Sequence, residues 1–229
     1  MDSRSPSDAL PIVADFHCHT VYSHDGTMTV GALIEVAQAA GINCLAITDH
    51  NTIEGAVAMQ ATAPFKIIVS EEIKSSEGEI IGFFLKEQVP PGLSPEETVA
   101  RIKSQGGLVC IPHPFDLVRR SHIKRKALDR ILPQVDIIEA FNARMIVPFG
   151  NRRAAALVKR TGLPAIAGSD GHTPIEIGQV KVRMPDFDTP QAFLHALRHA
   201  RIESRSSSIA VHVATTMRRL FGKPPEKRS

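Results

Sequence analysis

The feature that most constrains the fold of this chain is a repeated alternation of short apolar runs with helix-period segments. Ile12 to Phe16, Cys44 to Ile47, Lys66 to Ser70, Glu79 to Leu85, Leu108 to Ile111, Asp136 to Ala140 and Pro164 to Ala167 read as strands. Helical patterns fill the gaps. Val30 to Ala40 is stopped by Gly41, Pro95 to Gln105 is started by Ser94 as N-cap and stopped by Gly106-Gly107, and Arg152 to Thr161 is stopped by Gly162. Gln191 to Ala200 and His212 to Phe221 follow as further helices. A strand-then-helix rhythm through about seven units predicts a parallel sheet covered by helices, either an open doubly wound sheet or a closed barrel. No Gly-x-Gly-x-x-Gly follows the first strand and no Gly-x-x-x-x-Gly-Lys occurs, so the usual grounds for a nucleotide-binding open sheet are missing.

With 229 residues and 43% hydrophobic content, the chain is long enough for one well-packed domain. Residues 1–11, rich in Ser, Asp and Pro, are expected to be disordered. Residues 204–229 read as a basic helix and tail packed on the same domain. Cys18, Cys44 and Cys110 are odd in number and set in apolar sequence, the pattern of reduced core thiols. No apolar run is long enough to span a bilayer and the N-terminus has no signal-like stretch, so a cytoplasmic location without membrane contact is expected. The net charge of +3 comes largely from Arg205, Arg218, Arg219, Lys223, Lys227 and Arg228. With no Trp and Tyr22 the only tyrosine, recognition of single-stranded nucleic acid by stacking has weak support.

The polar residues of ligand type fall at the C-terminal ends of the predicted strands. His17 and His19 close the first, Asp49 and His50 the second, and Glu71 and Glu72 the third. His113 closes the fifth, Glu139 and Asn142 the sixth, and Asp170 and His172 the last. A closed parallel barrel gathers those ends into one ring, the place where such barrels carry active sites. In His17-Cys18-His19, strand alternation turns both imidazoles to one side and Cys18 toward the helices; in Asp170-Gly171-His172, Gly171 permits close backbone approach. Imidazoles mixed with carboxylates, without thiolates, suit Zn, Mn or Fe in an open site. The ligands are too many for one ion. They predict two or three divalent metal ions bridged by a carboxylate, about 3.5 to 4 Å apart, with a shared hydroxide as nucleophile.

The ordered motifs Asp15-Phe16-His17-Cys18-His19-Thr20, Ser23-His24-Asp25-Gly26, Thr48-Asp49-His50-Asn51, Glu72-Ile73, Pro112-His113-Pro114 and Gly168-Ser169-Asp170-Gly171-His172 resemble those of the PHP (polymerase and histidinol phosphatase) superfamily, in its small stand-alone phosphoesterase branch. The resemblance implies a distorted seven-stranded (β/α)7 TIM-like barrel, with a PHP domain over residues 12–203. It implies metal ligation by His17, His19, Asp25, His50, Glu72, His113, Asp170 and His172, with Glu72 bridging. Glu71 competes with Glu72 by pattern alone, and His24 with Asp25. Two departures stand out. Many relatives carry a histidine on the strand after the bridging glutamate, where this chain has Glu79-Ile80-Ile81-Gly82-Phe83-Phe84, and many carry another histidine where only Glu139 and Asn142 are available here. Asn142 is taken as the ligand from that segment.

The expected reaction is hydrolysis of a small-molecule phosphate ester, a phosphomonoester or nucleotide-type compound. Asp170, His172 and Arg144 are the expected catalytic residues, Arg144 as a guanidinium fork on the phosphate. Arg119, Arg120, His122 and Lys74 are further candidates for the phosphate clamp, and His172 or His113 for protonating the leaving oxygen. His195 and His199, four apart with Ala192, Phe193, Ala196, Leu197 and Ala200, read as residues of an amphipathic outer helix. The competing functions are a nuclease acting on DNA ends, an amidohydrolase, and a non-catalytic domain in which metal serves as a structural staple.

Overall fold

The computed structural model describes residues 11–118 and 121–204. Its elements run β1 (Ile12–Cys18), α1 (Val30–Ala39), β2 (Cys44–Ile47), α2 (Glu54–Thr62), β3 (Lys66–Ser75), β4 (Gly78–Phe83), α3 (Pro95–Ser104), β5 (Leu108–Ile111), α4 (Arg125–Ile131), β6 (Ile137–Asn142), α5 (Pro148–Thr161), β7 (Ala165–Gly168), β8 (Val180–Met184), α6 (Pro190–Leu197) and β9 (Arg201–Ser204). The expected disordered N-terminus lies outside the described residues except for Pro11, as do the expected helix at His212–Phe221 and Arg119 and Arg120. No helix of the described residues is long and apolar enough to cross a membrane.

The helix boundaries follow local chemistry. Thr29 caps α1 by accepting from Ala32 N, and Ser94 and Glu97 form a reciprocal capping box at α3. Gly162 ends α5 in the left-handed region at φ 69°, where a side chain would be strained.

All seven expected strands form, and they lie in one sheet of order β7-β6-β5-β4-β3-β2-β1-β8-β9. Two differences from the sequence reading have physical causes. First, β3 continues past Ser70 to Ser75 and turns at once into β4, so the two pair antiparallel, Glu72 opposite Ile81 and Lys74 opposite Glu79. A turn of two residues cannot supply the crossover that parallel strands require. Second, β8 and β9 add two strands, β8 running antiparallel along the first half of β1, with Ile12 opposite Met184.

The sheet curls until β7 meets the second half of β1, which makes it a nearly closed barrel. Asp170 N donates to His17 O at 2.7 Å, His19 N to Gly171 O at 2.9 Å, and Ser169 N to Asp15 Oδ1 at 2.9 Å. Gly168 makes this closure possible, since a Cβ there would stand 2.2 Å from the Cβ of His17.

Apolar side chains sort into two layers. Leu33, Met59, Ile73, Ile102, Leu128 and Leu157 fill the space between sheet and helices. Phe16, Ala46, Ile81, Phe83, Cys110 and Ile166 fill the barrel interior, joined there by Phe193, Ala196 and Leu197 of α6. The Phe193 ring lies 5.3 Å from Phe16, 6.1 Å from Phe83 and 4.8 Å from Phe187, so the apolar face of α6 plugs one end of the barrel. His195 stays on its exposed face and His199 is exposed just past its end, rings 5.2 Å apart. Packing thus occupies one end of the barrel and leaves the other, at the C-terminal ends of the strands, to polar side chains.

Candidate metal centre

Two irregularities aim the site. In β1, Asp15 pairs with Leu45 but Cys18 pairs with Ile47, so one extra residue sits opposite Ala46. Ala14 and Phe16 belong to the inner layer; in a regular strand His17 and His19 would face outward with Asp15. The bulge turns Phe16 and His17 inward in succession, and His19 follows two residues later while Cys18 packs under the helices. In β6, Glu139 pairs with Ile166 and Phe141 with Ala167, leaving Ala140 as the extra residue. Glu139 and Asn142, three apart, therefore meet on one side, with Asn142 Nδ2 3.1 Å from Glu139 Oε2. His113 (φ 26°) and Asp170 (φ 53°) occupy the left-handed region that non-glycine residues avoid. Such strain costs about 1 to 3 kcal/mol per residue and persists where surrounding structure holds it, commonly at functional sites.

The result is a cluster of buried imidazoles and carboxylates. His19, Asp25, His50 and His172 form one group whose ligand atoms lie within 4.8 Å of one another; His17, His113 and Asp170 form a second; His17, His19 and Glu72 a third; His50, Glu72 and Glu79 a fourth. Glu72 ties them together. Its Oε2 is 3.4 Å from His17 Nε2, 3.5 Å from His19 Nε2 and 3.2 Å from His50 Nδ1, while Oε1 is 2.9 Å from His113 Nε2. Asp170 Oδ1 stands 3.5 Å from His19 Nε2 and 3.8 Å from His17 Nε2, and Asp25 Oδ2 3.2 Å from His172 Nε2.

These atoms fit metal binding better than hydrogen bonding. The Nε2 atoms of His17, His19 and His172 are buried with no hydrogen-bond partner, a costly condition unless a cation accepts their lone pairs. The separations of 3.5 and 3.8 Å from Asp170 Oδ1 to His19 and His17 exceed a good hydrogen bond but match ligands spaced around one ion at metal–ligand lengths of about 2.0 to 2.2 Å. The other ring nitrogens are held by protein. His17 Nδ1 is 3.0 Å from Glu139 Oε1, and His19 Nδ1 is 3.1 Å from Ser23 Oγ, which also accepts His50 N at 2.9 Å. A donor Nδ1–H fixes the tautomer that leaves Nε2 free to ligate.

The electrostatics agree. Burial opposes charge on His17, yet Asp170, Glu139 and Glu72 outweigh it and hold its pKa well above the ordinary value. Burial lowers that of His19, and repulsion from His172 adds to the effect. For Glu72, burial is overcome by His17 and His50, and its pKa falls well below the carboxylate range; for Asp25 it is overcome by the adjacent imidazoles of His172 and His50, to the same effect.

Of the residues predicted from sequence, His17, His19, Asp25, His50, Glu72, His113, Asp170 and His172 converge here. Geometry also separates the ambiguous pairs. Glu71 turns away and accepts Val89 N at 2.9 Å, and His24 is exposed while Asp25 points inward. Asn142 lies at the edge of the cluster. Its Nδ2 donates to Glu139 and, at 3.0 Å, to Asp170 Oδ2, and its Oδ1 accepts Arg144 N, which is a positioning arrangement.

Arg144 reaches the rim, its Nε 3.3 Å from Glu176 Oε1 and its Nη1 2.5 Å from His172 Nδ1. His172 Nδ1 also lies 2.8 Å from Asp170 O, and a single nitrogen can donate to that carbonyl or accept from the guanidinium, not both. Lys74 is exposed, and His122 lies on the loop beside the β3–β4 hairpin, where Ser121 O accepts Glu79 N. Two participants were not singled out from sequence. Glu176 accepts His172 N at 2.9 Å and so fixes the last loop. Glu79, buried in an otherwise apolar strand, carried a readable signal in that setting.

An α/β barrel that collects imidazoles and carboxylates at the C-terminal ends of its strands is a metal-binding barrel of the kind that carries hydrolytic sites. Comparison with known proteins gives the family. The PHP domain model matches residues 15–84, and the PHP-associated model matches residues 148–202. The uncharacterized protein MJ1587 of Methanocaldococcus jannaschii is 42% identical over 144 residues, covering 57% of this chain and 81% of that protein. A second uncharacterized protein of that organism, MJ0417, is 31% identical over 194 residues, 80% of this chain and 78% of the relative. Among solved structures, a two-domain protein from Bacteroides vulgatus containing a predicted PHP-like metal-dependent phosphoesterase superposes with a TM-score of 0.67 at 19% identity, over 91% of this chain and 69% of that one. The chain belongs to the PHP superfamily.

Proposed function

We propose that the protein is a metal-dependent phosphoesterase that hydrolyses small-molecule phosphate esters, phosphomonoesters or nucleotide-type compounds, with two or three ions of Mn, Zn or Fe. The observation that carries this reading is the convergence of His17, His19, Asp25, His50, His113 and His172 on the shared carboxylates of Glu72 and Asp170, with the buried Nε2 atoms of His17, His19 and His172 left without a hydrogen-bond partner. Those eight side chains would hold the ions. Bound divalent ions supply Lewis-acid polarisation of phosphoryl oxygens and acidify water at neutral pH.

The chain's own groups supply the rest. Arg144, anchored by Glu176 through Nε, presents its guanidinium at the rim, where a fork of donors matches phosphate oxygens. With Nε2 of His172 committed to ligation, its Nδ1 carries a proton toward Asp170 O. The guanidinium then faces another donor at close range, and an incoming phosphate offers it better acceptors. Asp170, held by Asn142 Nδ2 and by its strained backbone, keeps one carboxylate oxygen directed at His17 and His19. Burial of the Asp170, His172 and Glu72 side chains strengthens each of these interactions with a developing anionic charge.

The test is phosphate release from a panel of esters, with a labelled oligonucleotide alongside, in added Mn²⁺, Zn²⁺ or Fe²⁺. Wild type is expected to turn over at least one small ester. Asp170→Asn and His19→Ala are each expected to lose about 100-fold or more, the scale of removing one preorganised electrostatic group. Equal turnover in wild type and both variants would reject the site, and cleavage of the oligonucleotide alone would move the substrate class to nucleic acid.

A further inference from the structure

We propose that Glu79 of β4 is itself a metal ligand, which with Glu72 and His50, beside His113, forms a carboxylate-rich position suited to a hard divalent cation such as Mn²⁺. This inference rests on the metal-binding reading of the site and adds a ligand, with its preference, that the sequence motifs do not contain.

The hairpin geometry delivers the side chain. Glu79 pairs with Lys74 and Ile81 with Glu72, so Glu72 and Lys74 share one face of β3, and Glu79 and Ile81 share one face of β4. Ile81 packs in the barrel interior, which places Glu79, two residues earlier, on the same side and nearer the mouth. Its carboxylate is buried, its ligand atom lies within 4.8 Å of those of His50 and Glu72, and its Oε2 is 3.7 Å from His113 Nε2.

A purely structural role leaves this carboxylate poorly matched. Among the described residues no Lys or Arg is paired with Glu79, although Lys74 lies directly across the ladder; that lysine is exposed. The Glu79 carboxylate is buried beside that of Glu72, with Ser121 as a hydrogen-bond partner but, among the described residues, no Lys or Arg to offset the pair of acids. Two adjacent buried carboxylates facing two imidazoles are a stable arrangement when a divalent cation lies among them.

The donor set also sorts the cluster by hardness. With His50 committed to the Glu79 position, His19, Asp25 and His172 offer two imidazoles and one carboxylate, a set favoured by Zn or Fe. The position at Glu79 offers two carboxylates for each imidazole of its group, which moves preference toward the oxygen-seeking ions.

The experiment is equilibrium dialysis of the metal-free full chain against Mn²⁺, with bound metal counted by elemental analysis, for wild type and Glu79→Gln. The expected result is about one Mn²⁺ fewer per chain in the variant, or one Mn²⁺ bound at least tenfold more weakly, with Zn²⁺ binding retained. Melting of the metal-free proteins shows whether the variant folds. If Glu79→Gln does not fold, Glu79→Asp takes its place, expected to weaken one Mn²⁺ by at least tenfold. Wild-type Mn²⁺ stoichiometry and affinity in the folded variant overturn the inference alone. Absence of any metal binding by wild type overturns the reading beneath it as well.

Discussion

Replacing Glu139 with glutamine tests how the centre is held together. Glu139 Oε1 lies 3.0 Å from His17 Nδ1, and Oε2 accepts the backbone N–H of His113 at 2.6 Å. A carboxylate accepts on both sides, whereas an amide has one acceptor and one donor. Whichever way the glutamine is turned, its NH₂ meets a group that now donates to Glu139. Turned toward His113, it confronts a buried backbone N–H. Turned toward His17, it forces Nδ1 to accept, shifts the ring proton to Nε2, and removes the lone pair directed at Glu72 and Asp170. Supporting partners of this kind are worth about 10- to 100-fold in metal affinity, which is about 1.4 to 2.8 kcal/mol. Competition for Zn²⁺ or Mn²⁺ against a chromophoric chelator measures the loss, and melting of the metal-free variant verifies the fold. Wild-type affinity in a folded Glu139→Gln protein would refute the assignment of His17 as an Nε2 ligand oriented by this carboxylate.

Two further outcomes follow from the same structure. Phe193→Ala removes a fully buried ring in contact with Phe16, Phe83, Phe84 and Phe187, and is expected to cost about 3 to 5 kcal/mol in urea unfolding while metal stoichiometry is unchanged. Loss of metal from the folded variant would show that the barrel's two ends are not independent. Burial disfavours charge on His50, but Glu72 and Asp25 outweigh it and raise its pKa to about 9. Its contribution to the stability of the metal-free protein is therefore fully present below the ordinary histidine value and is lost as pH rises through about 9. Because metal displaces that proton, metal affinity is expected to rise over the same window, and a chelator competition series across pH that is flat would contradict it.

The sequence by itself determined the seven strands, the stops at Gly41, Gly106 and Gly162, and the ring of candidate ligands, because hydrophobic period, capping chemistry and residue type are local properties. Strand direction was not local. The run from Lys66 to Leu85 reads as two strands, but only the continuation of β3 through Glu72 and the tight turn after Ser75 make β4 antiparallel. The inward aim of His17 was likewise undetermined, since strict alternation from Phe16 would point it outward, and the bulge opposite Ala46 exists through pairing with β2. Choice within Glu71/Glu72 and His24/Asp25 required a face, and a face is defined by neighbours distant in sequence. The roles of Glu139, Glu176 and Glu79 belong to the same class. A carboxylate becomes a support or a ligand through what stands within about 3 to 4 Å of it, and only the closing of β1 against β7 and the folding of β4 onto β3 brought those partners together.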